Sequence, residues 1–266
     1  MRFIRGLVLL VMLLMVFPAA AAAGSEEDSS ITLYYEENAQ VEIISPEGVR
    51  VMIDVFNPTA LSTPPTEDDV LLTTHTHSDH YYPKFIDAFP GQAITVSVGE
   101  LSVGDVEITS ISSAHLPDIE MQDENGSNYI FIIDVAGLRI AHFGDIGQDE
   151  LTEEQLEALG EVDLAITQFS NSYSAMDLIN LKGFNLMDQV NPKLIIPTHF
   201  KLDALEVAVE KEWEGFQAQE WPITIEASML LDDQTRFIAV GVYAKAAANM
   251  YEFPDWSAVP TVVTGD

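Results

Sequence analysis

Four short apolar segments of this 266-residue chain each run directly into side chains of the types that can bind metal ions. They read VLLTT before HTHSDH, ITSISS before AH, LRIAHF before GD, and KLIIP before TH. Short runs rich in valine, isoleucine and leucine predict buried strands. Because α/β proteins usually build their sites at the carboxyl ends of strands, the four segments predict one shared site. The first half of the chain is rich in predicted strands, the second half alternates strand and helix, and no break in composition divides them. We therefore predict a single α/β domain in which sheets pack between helices.

The segment TTHTHSDHYY contains three of the six histidines of the chain. Alternate residues of an extended segment face the same way, so His75, His77 and Asp79 share one side. His80 has the opposite parity and needs a turn to join them, and a helix beginning near Pro83 gives a reason for that turn. Imidazole and carboxylate are ligands that zinc and similar divalent ions accept, so the spacing favours a metal site over a chance cluster of histidines.

The other histidines lie at the ends of the remaining apolar segments. His115 and His199 each follow a predicted strand, and Asp145 follows a third strand in the sequence FGD. His142 lies three residues before Asp145, and for it we favour a role in the core or in support of a ligand over direct ligation. At least five of the six histidines are thus expected to serve one metal centre.

Further segments predict the other elements of secondary structure. A hairpin around residues 46–48 is predicted from ITLYYEENAQVEIIS and VRVMIDVF, and a second tight turn at residues 136–137 from YIFIIDVAGLRIAHF. Strands are also predicted for ITVSV, VEITSISS, DLAIT, ITIEA and TRFIAVGVYA. Helices are predicted for PKFIDAF, LTEEQLEALG, AMDLINLKGFNLMDQV and DALEVAVEKEWEGFQ.

The N-terminal segment has the layout of a secretory signal. Arg2 and Arg5 precede an apolar run from Leu7 to Phe17, which is followed by small residues. We predict a signal peptide over residues 1–23, a domain over 24–250, a tail over 251–266, and export to a periplasmic or extracellular location. An uncleaved membrane anchor is the alternative, although the apolar run is short for a span of roughly 20 residues.

The absence of cysteine and the strong negative charge exclude several functions. Without cysteine the chain has no disulfide, no thiolate ligand and no cysteine nucleophile. Its formal net charge of −32 repels polyanions, so we expect no nucleic-acid partner.

Taken in order, the motifs HTHSDH, SAH, GD and PTH resemble those of the metallo-β-lactamase fold hydrolases. Asp54 matches the first motif of that superfamily, a structural aspartate near the site. The sequence further resembles the branch that includes ascorbate-6-phosphate lactonase and many uncharacterised metal-dependent hydrolases. The resemblance implies an αββα sandwich with two divalent metal ions between the sheets. It implies the following ligands: His75, His77 and His115 on the first ion, Asp79, His80 and His199 on the second, and Asp145 between them.

Three segments on the substrate side depart from the pattern of that branch. Asn38 stands about where a histidine is common, Gln148 follows Gly147 where a histidine is frequent, and TQFSNSYS replaces a Pro-x-Gly-Gly loop. The ligands are retained, so the resemblance implies the metal centre without implying the substrate.

The expected function is that of an exported metal-dependent hydrolase. A hydroxide held by two ions would attack an ester, lactone or phosphodiester in a small or lipid-like substrate, with Asp79 orienting it or accepting its proton. Zinc is the default ion for histidine-rich ligation, with manganese or iron as alternatives. The alternative function is a non-catalytic metal-binding or interaction protein. A β-lactamase is less favoured, because many β-lactamases of this fold use a cysteine ligand.

Overall fold

The computed structural model describes residues 30–116, 127–201, 203–218, 222–226, 230 and 236–240. The predicted signal peptide (1–23), the predicted tail (251–266) and both ends of the predicted domain lie outside these residues. Within the described part of the chain, no helix combines the length and the apolar character that a membrane crossing requires.

Strands dominate the described residues, and four short helices connect or cover them. The strands are β1 Ser30–Glu37, β2 Gln40–Ile44, β3 Arg50–Ile53, β4 Val70–Thr73, β5 Gln92–Thr95, β6 Gly99–Val103, β7 Val106–Ser113, β8 Asn128–Val135, β9 Leu138–His142, β10 Leu164–Gln168, β11 Leu194–Thr198, β12 Glu214–Ala218, β13 Ile223–Glu226 and β14 Arg236–Val240. The helices are α1 Pro83–Ala88, α2 Glu153–Leu159, α3 Lys182–Val190 and α4 Ala204–Glu210, and one 3₁₀ turn spans Ser172–Ser174.

These strands form two mixed sheets. The first sheet has the order β13-β1-β2-β3-β4-β5, and the second has the order β12-β14-β11-β10-β9-β8-β7-β6. In the first sheet, β3, β4 and β5 are parallel. In the second, β9, β10 and β11 are parallel, and β7 runs in the same direction because two antiparallel pairings separate it from β9. Several strands of each sheet therefore have their carboxyl ends at one edge.

The largest apolar cluster contains alternate residues from strands of both sheets. In β1 and β2, Ile31, Leu33, Val41 and Ile43 belong to this cluster, whereas Glu42 belongs to the other face. From the second sheet the cluster receives these residues: Ile108, Phe131, Ile133, Ile140, Leu164, Ile166, Leu194 and Ile196. Each fully buried side chain of this kind contributes about 1.5–3 kcal/mol to folding, so the alternation drives the two sheets together.

Helices cover the outer faces of the two sheets. Phe184 of α3 and Ala208 of α4 pack with Ile132 and Ile195 of the second sheet. Phe85 of α1 packs against the first sheet in a smaller cluster with Met52, Val55 and Leu71. The result is a helix–sheet–sheet–helix arrangement, as predicted from the sequence.

Most predicted elements are present, and the differences have local causes. The turn at residues 136–137 joins β8 to β9 with positive φ at both positions, and α2 begins with a capping box between Thr152 and Gln155. The segment ITLYYEENAQVEIIS is itself a hairpin, because Asn38 adopts a left-handed turn between β1 and β2.

Two predicted helices are shorter than expected. The helix predicted over residues 175–190 begins only at Lys182, because Ala175 and Leu181 adopt left-handed conformations and the Asp177 carboxylate accepts hydrogen bonds from local backbone amides. The helix predicted over residues 203–217 ends at Glu210, and residues 214–217 of the predicted helix instead belong to strand β12.

Candidate metal centre

The predicted ligands lie at the shared edge where strands of both sheets end. The first sheet contributes the residues that follow β4: His75, His77, Asp79 and His80. The second sheet contributes the residues that follow β7, β9 and β11: His115, Asp145 and His199. The structure brings all seven together, so each sheet supplies part of one centre.

The seven side chains form two groups. His75, His77, His115 and Asp145 form the first group, and Asp79, His80 and His199 form the second. Within each group, one potential ligand atom per residue lies within 4.8 Å of the others. Each group therefore offers the number and type of ligands that a divalent transition-metal ion requires.

Asp145 connects the two groups through its two carboxylate oxygens. Oδ2 lies 3.6 Å from Nε2 of His75 and 3.5 Å from Nε2 of His115. Oδ1 lies 3.3 Å from Nε2 of His80 and 3.1 Å from Nε2 of His199. The carboxylate is 1% exposed, so its two oxygens are directed at the two groups rather than at solvent.

Several buried ligand atoms in this centre have no hydrogen-bond partner among the described residues. These atoms are Nε2 of His75, Nε2 of His115 and Oδ1 of Asp145. A buried polar atom without a partner costs about 1–3 kcal/mol, and three converging ones are explained if a cation binds them. The donor set of imidazole nitrogens and carboxylate oxygens fits zinc, manganese or iron.

A buried carboxylate and hydroxyl orient two of the imidazole rings. Asp54 accepts hydrogen bonds from the Thr74 amide and hydroxyl at 2.7 Å each, and Nδ1 of His80 lies 2.8 Å from it. Nδ1 of His80 therefore donates to Asp54, which leaves Nε2 as the ligand atom. Because the only hydroxyl proton of Thr74 is donated to Asp54, Nδ1 of His75 donates to Thr74 at 3.0 Å. His75 also presents Nε2 to the centre.

The charges of the centre favour a bound cation. Burial alone would lower the pKa of His80, but the Asp54 and Asp145 carboxylates outweigh it and raise that pKa to about 10. Burial and then the neighbouring His80 lower the pKa of His75 to about 3. Burial opposes ionisation of Asp145, yet His80 and the surrounding imidazoles hold its pKa well below the usual range. The buried Asp54 and Asp145 carboxylates thus stabilise positive charge in the centre, of the kind that a divalent ion would supply.

The sixth histidine has a different environment. Nε2 of His142 lies 3.0 Å from the Ala39 carbonyl, to which it donates, and Nδ1 accepts a hydrogen bond from the Gly144 amide. Both ring nitrogens are therefore engaged with the backbone. His142 connects β9 to the β1–β2 turn of the opposite sheet and contributes no ligand atom to either group.

Three polar residues that the sequence analysis did not single out support the ligands. Asn128 accepts a hydrogen bond from the Asp145 amide at 3.0 Å, and Asn171 donates to Oδ2 of Asp145 at 2.7 Å. Lys182 is buried and donates to the Gly147 carbonyl at 2.7 Å. The one sequence signal for any of them is that Asn171 lies in TQFSNSYS, one of the departures from the family pattern.

Gln148, at another of these departures, also supports a ligand loop. It is 7% exposed and accepts a hydrogen bond from the Ala114 amide at 3.1 Å, directly before His115.

The centre opens to solvent on one side. His77 is exposed, and the side chain of Asp79 is 40% exposed. Tyr173 is 76% exposed, and its ring lies 6.3 Å from that of His77 in an edge-on arrangement. Phe169 and Phe200, which also flank the motifs, are instead buried beneath the helices of the second sheet.

A helix–sheet–sheet–helix sandwich that gathers histidines and aspartates at one edge of both sheets defines the metallo-β-lactamase fold. A family model of the β-lactamase superfamily domain matches residues 32–199, and the chain belongs to this superfamily. The matched region includes all seven predicted ligands, and the predicted family and fold are confirmed.

Similar proteins are known by sequence and by structure. The chain is 27% identical over 199 residues to a UPF0173 metal-dependent hydrolase of Methanosphaera stadtmanae, covering 62% of this chain and 82% of that protein. A candidate zinc-dependent hydrolase of the metallo-β-lactamase superfamily from Thermotoga maritima superposes with a TM-score of 0.55 at 18% identity, covering 79% of this chain and 98% of that one. Igni18, a metallo hydrolase from Ignicoccus hospitalis, superposes with a TM-score of 0.50 at 17% identity, covering 74% of this chain and 99% of that one. At these identities, the two structures establish the fold alone.

Proposed function

We propose that this protein is a metal-dependent hydrolase that binds two divalent ions and cleaves an ester, lactone or phosphodiester bond. The observation that carries the proposal is the placement of Asp145, with one carboxylate oxygen directed at each histidine group. Zinc is the favoured ion, with manganese or iron as alternatives, because the donors are mainly imidazoles.

The proposal assigns a role to each ligand. His75, His77 and His115 would bind one ion, Asp79, His80 and His199 the other, and Asp145 both. When bound, a pair of such ions lowers the pKa of water and stabilises negative charge on a carbonyl or phosphoryl oxygen. Asp54 and Thr74 keep the rings of His80 and His75 in the ligating tautomer.

Asp79 is the favoured catalytic residue of this chain. Its carboxylate lies 4.0 Å from Nε2 of His80 and remains 40% exposed, whereas Asp145 is enclosed. A carboxylate in this position can orient an attacking water molecule or accept its proton.

The surface beside the centre supports a small or lipid-like substrate. Leu116 directly follows His115 and is 40% exposed, and Tyr173 is 76% exposed beside His77. These side chains offer apolar contact to a substrate. The net charge of −32 argues against a nucleic-acid substrate.

We also propose that the protein is exported. The proposal rests on the basic, apolar and small-residue pattern of residues 1–23. N-terminal sequencing of the protein from the producing cells would test it. A start near residue 24 supports cleavage, whereas an intact N-terminus in the membrane fraction supports the anchor.

Metal content and hydrolysis can be measured together. We expect close to two ions per chain, and metal-dependent turnover among panels of simple esters, lactones and phosphodiesters. Asp79→Asn should lower kcat at least 100-fold, because the proton acceptor is lost. Asp87→Asn, at an exposed carboxylate on α1, is the matched control and should retain wild-type turnover.

Two bound ions without turnover across the panels would favour the non-catalytic metal-binding alternative. Absence of bound metal after reconstitution would refute the proposal.

A further inference from the structure

The loop after β10 contains a buried asparagine that contacts the metal centre. Asn171 is 7% exposed and lies between β10 and the 3₁₀ turn Ser172–Ser174. Its backbone exchanges two hydrogen bonds with Met176: the Asn171 amide donates to the Met176 carbonyl at 2.9 Å, and the Met176 amide donates to the Asn171 carbonyl at 3.0 Å. This pair closes residues 171–176 into a compact loop.

The amide nitrogen of Asn171 donates a hydrogen bond to the Asp145 carboxylate. Nδ2 donates to Oδ2 of Asp145 at 2.7 Å and to Oε1 of Gln168 at 2.8 Å, so both of its protons are used. Gln168 in turn donates to the Ile146 carbonyl at 2.7 Å, which establishes the orientation of its own amide. The carboxylate oxygen held in this way is the one directed at His75 and His115.

The amide oxygen of Asn171 holds the loop that carries Tyr173. Oδ1 accepts a hydrogen bond from the Tyr173 amide at 3.0 Å, as in an Asx turn. Ser174 adds a second connection, because its hydroxyl donates to the Asp145 carbonyl at 3.0 Å. One side chain thus connects the carboxylate between the two histidine groups to the exposed tyrosine beside His77.

We infer that Asn171 is a positioning residue that holds Asp145 in the bridging orientation and ties it to the Tyr173 loop. The inference rests on the proposed function, since it takes Asp145 as a ligand of both ions. Without the Nδ2 donor the carboxylate can rotate about its Cβ–Cγ bond and direct both oxygens to one group. Loss of a hydrogen bond to a ligand typically lowers metal affinity 10- to 100-fold.

Asn171→Ser separates the two functions of the side chain. A serine hydroxyl can still accept a hydrogen bond from the Tyr173 amide, but it is too short to reach Asp145. Asn180→Ser is the matched control. Asn180 lies between the compact loop 171–176 and α3, where it accepts hydrogen bonds from the Asp177 and Lys182 amides and donates to the Ala175 carbonyl. It is exposed and is not a member of either histidine group.

Zinc affinity of the full chain would be measured by competition with a chelator in the absence of substrate. We expect an affinity about 10- to 100-fold lower in Asn171→Ser and wild-type affinity in Asn180→Ser. Visible absorption of the cobalt-substituted proteins should differ from wild type only in Asn171→Ser, because the spectrum reports ligand geometry. Circular dichroism of the metal-free proteins checks folding, and Asn171→Ala is the second variant if the serine variant does not fold.

Wild-type zinc affinity in Asn171→Ser would overturn the inference while the proposed function stands. Equal losses in Asn171→Ser and Asn180→Ser would also overturn it, because loop integrity rather than the Asp145 contact would then control binding. Failure of the wild-type protein to bind zinc, manganese or iron would instead refute the proposed function.

Discussion

Asp54→Asn should weaken metal binding without removing any ligand. In the native protein Asp54 accepts three hydrogen bonds, from the amide and hydroxyl of Thr74 and from Nδ1 of His80. If the new amide nitrogen takes the Oδ2 position, it faces Nδ1 of His80 as a donor. His80 must then carry its proton on Nε2, which removes the ligand lone pair. If the amide is reversed, its nitrogen faces the Thr74 backbone amide, and a buried donor is left without an acceptor.

The size of the effect follows from the hydrogen bond that is lost. A buried hydrogen bond to a charged group contributes about 1.5–3 kcal/mol, and about 1.4 kcal/mol corresponds to a tenfold change in affinity. We therefore expect the affinity of the group that contains His80 to fall about 10- to 150-fold. At limiting zinc, the metal content should fall from two ions towards one per chain.

The control for this measurement is Asp69→Asn. Asp69 is also a buried aspartate of the first sheet, but its partners are Arg50 and the Thr66 amide rather than a histidine. Both variants should unfold at lower temperature, because each loses charge-assisted hydrogen bonds. Only Asp54→Asn should lose zinc in a chelator competition. Equal zinc affinities in the two variants would refute the role of Asp54 in selecting the His80 tautomer.

Two further predictions concern residues outside the ligand groups. Burial and then the adjacent Glu42 raise the pKa of Glu36, so the folded state binds its proton more tightly than the unfolded state. This difference destabilises the fold as pH rises above the unfolded pKa. Glu36→Gln should therefore raise the free energy of unfolding at pH 8 but not at pH 4, and equal effects in urea titrations at both pH values would contradict this. Gly147→Ala should lower both the free energy of unfolding and the zinc affinity, because the added Cβ would lie 1.9 Å from the His115 carbonyl oxygen. Gly99→Ala is the control: its added Cβ would lie 3.4 Å from Ile94, an ordinary contact, so it should change neither quantity.

The side chains that the structure brings together in the two groups could be predicted from the sequence because they follow apolar strands. His75, His115 and His199 each come one or two residues after a β-branched segment, and the strand-end rule for α/β proteins brings such residues together. His142, three residues before Asp145, lies within β9 and does not follow a strand. In these cases local pattern and fold rule agree, so no knowledge of tertiary contacts was needed.

The supporting residues could not be identified in the same way. Asn171 and Gln148 are single polar residues in irregular loops, where no periodicity marks a buried position. Their roles depend on which carboxylate or backbone amide the fold brings beside them. The same limit explains the helix predicted over residues 175–190, since the left-handed conformations of Ala175 and Leu181 break a sequence that is otherwise compatible with a helix.

The division of the ligands between two sheets has a consequence for biosynthesis. His80 and His199 face each other across 119 residues of chain, with their Nε2 atoms 3.2 Å apart. A chain made from its N-terminus exposes the histidines of the first sheet well before β11 exists. At that stage it offers an incoming ion only a partial set of donors. Tight binding of the proposed ions would therefore wait until the second sheet has docked, and metal occupancy would mark a chain that has completed its fold.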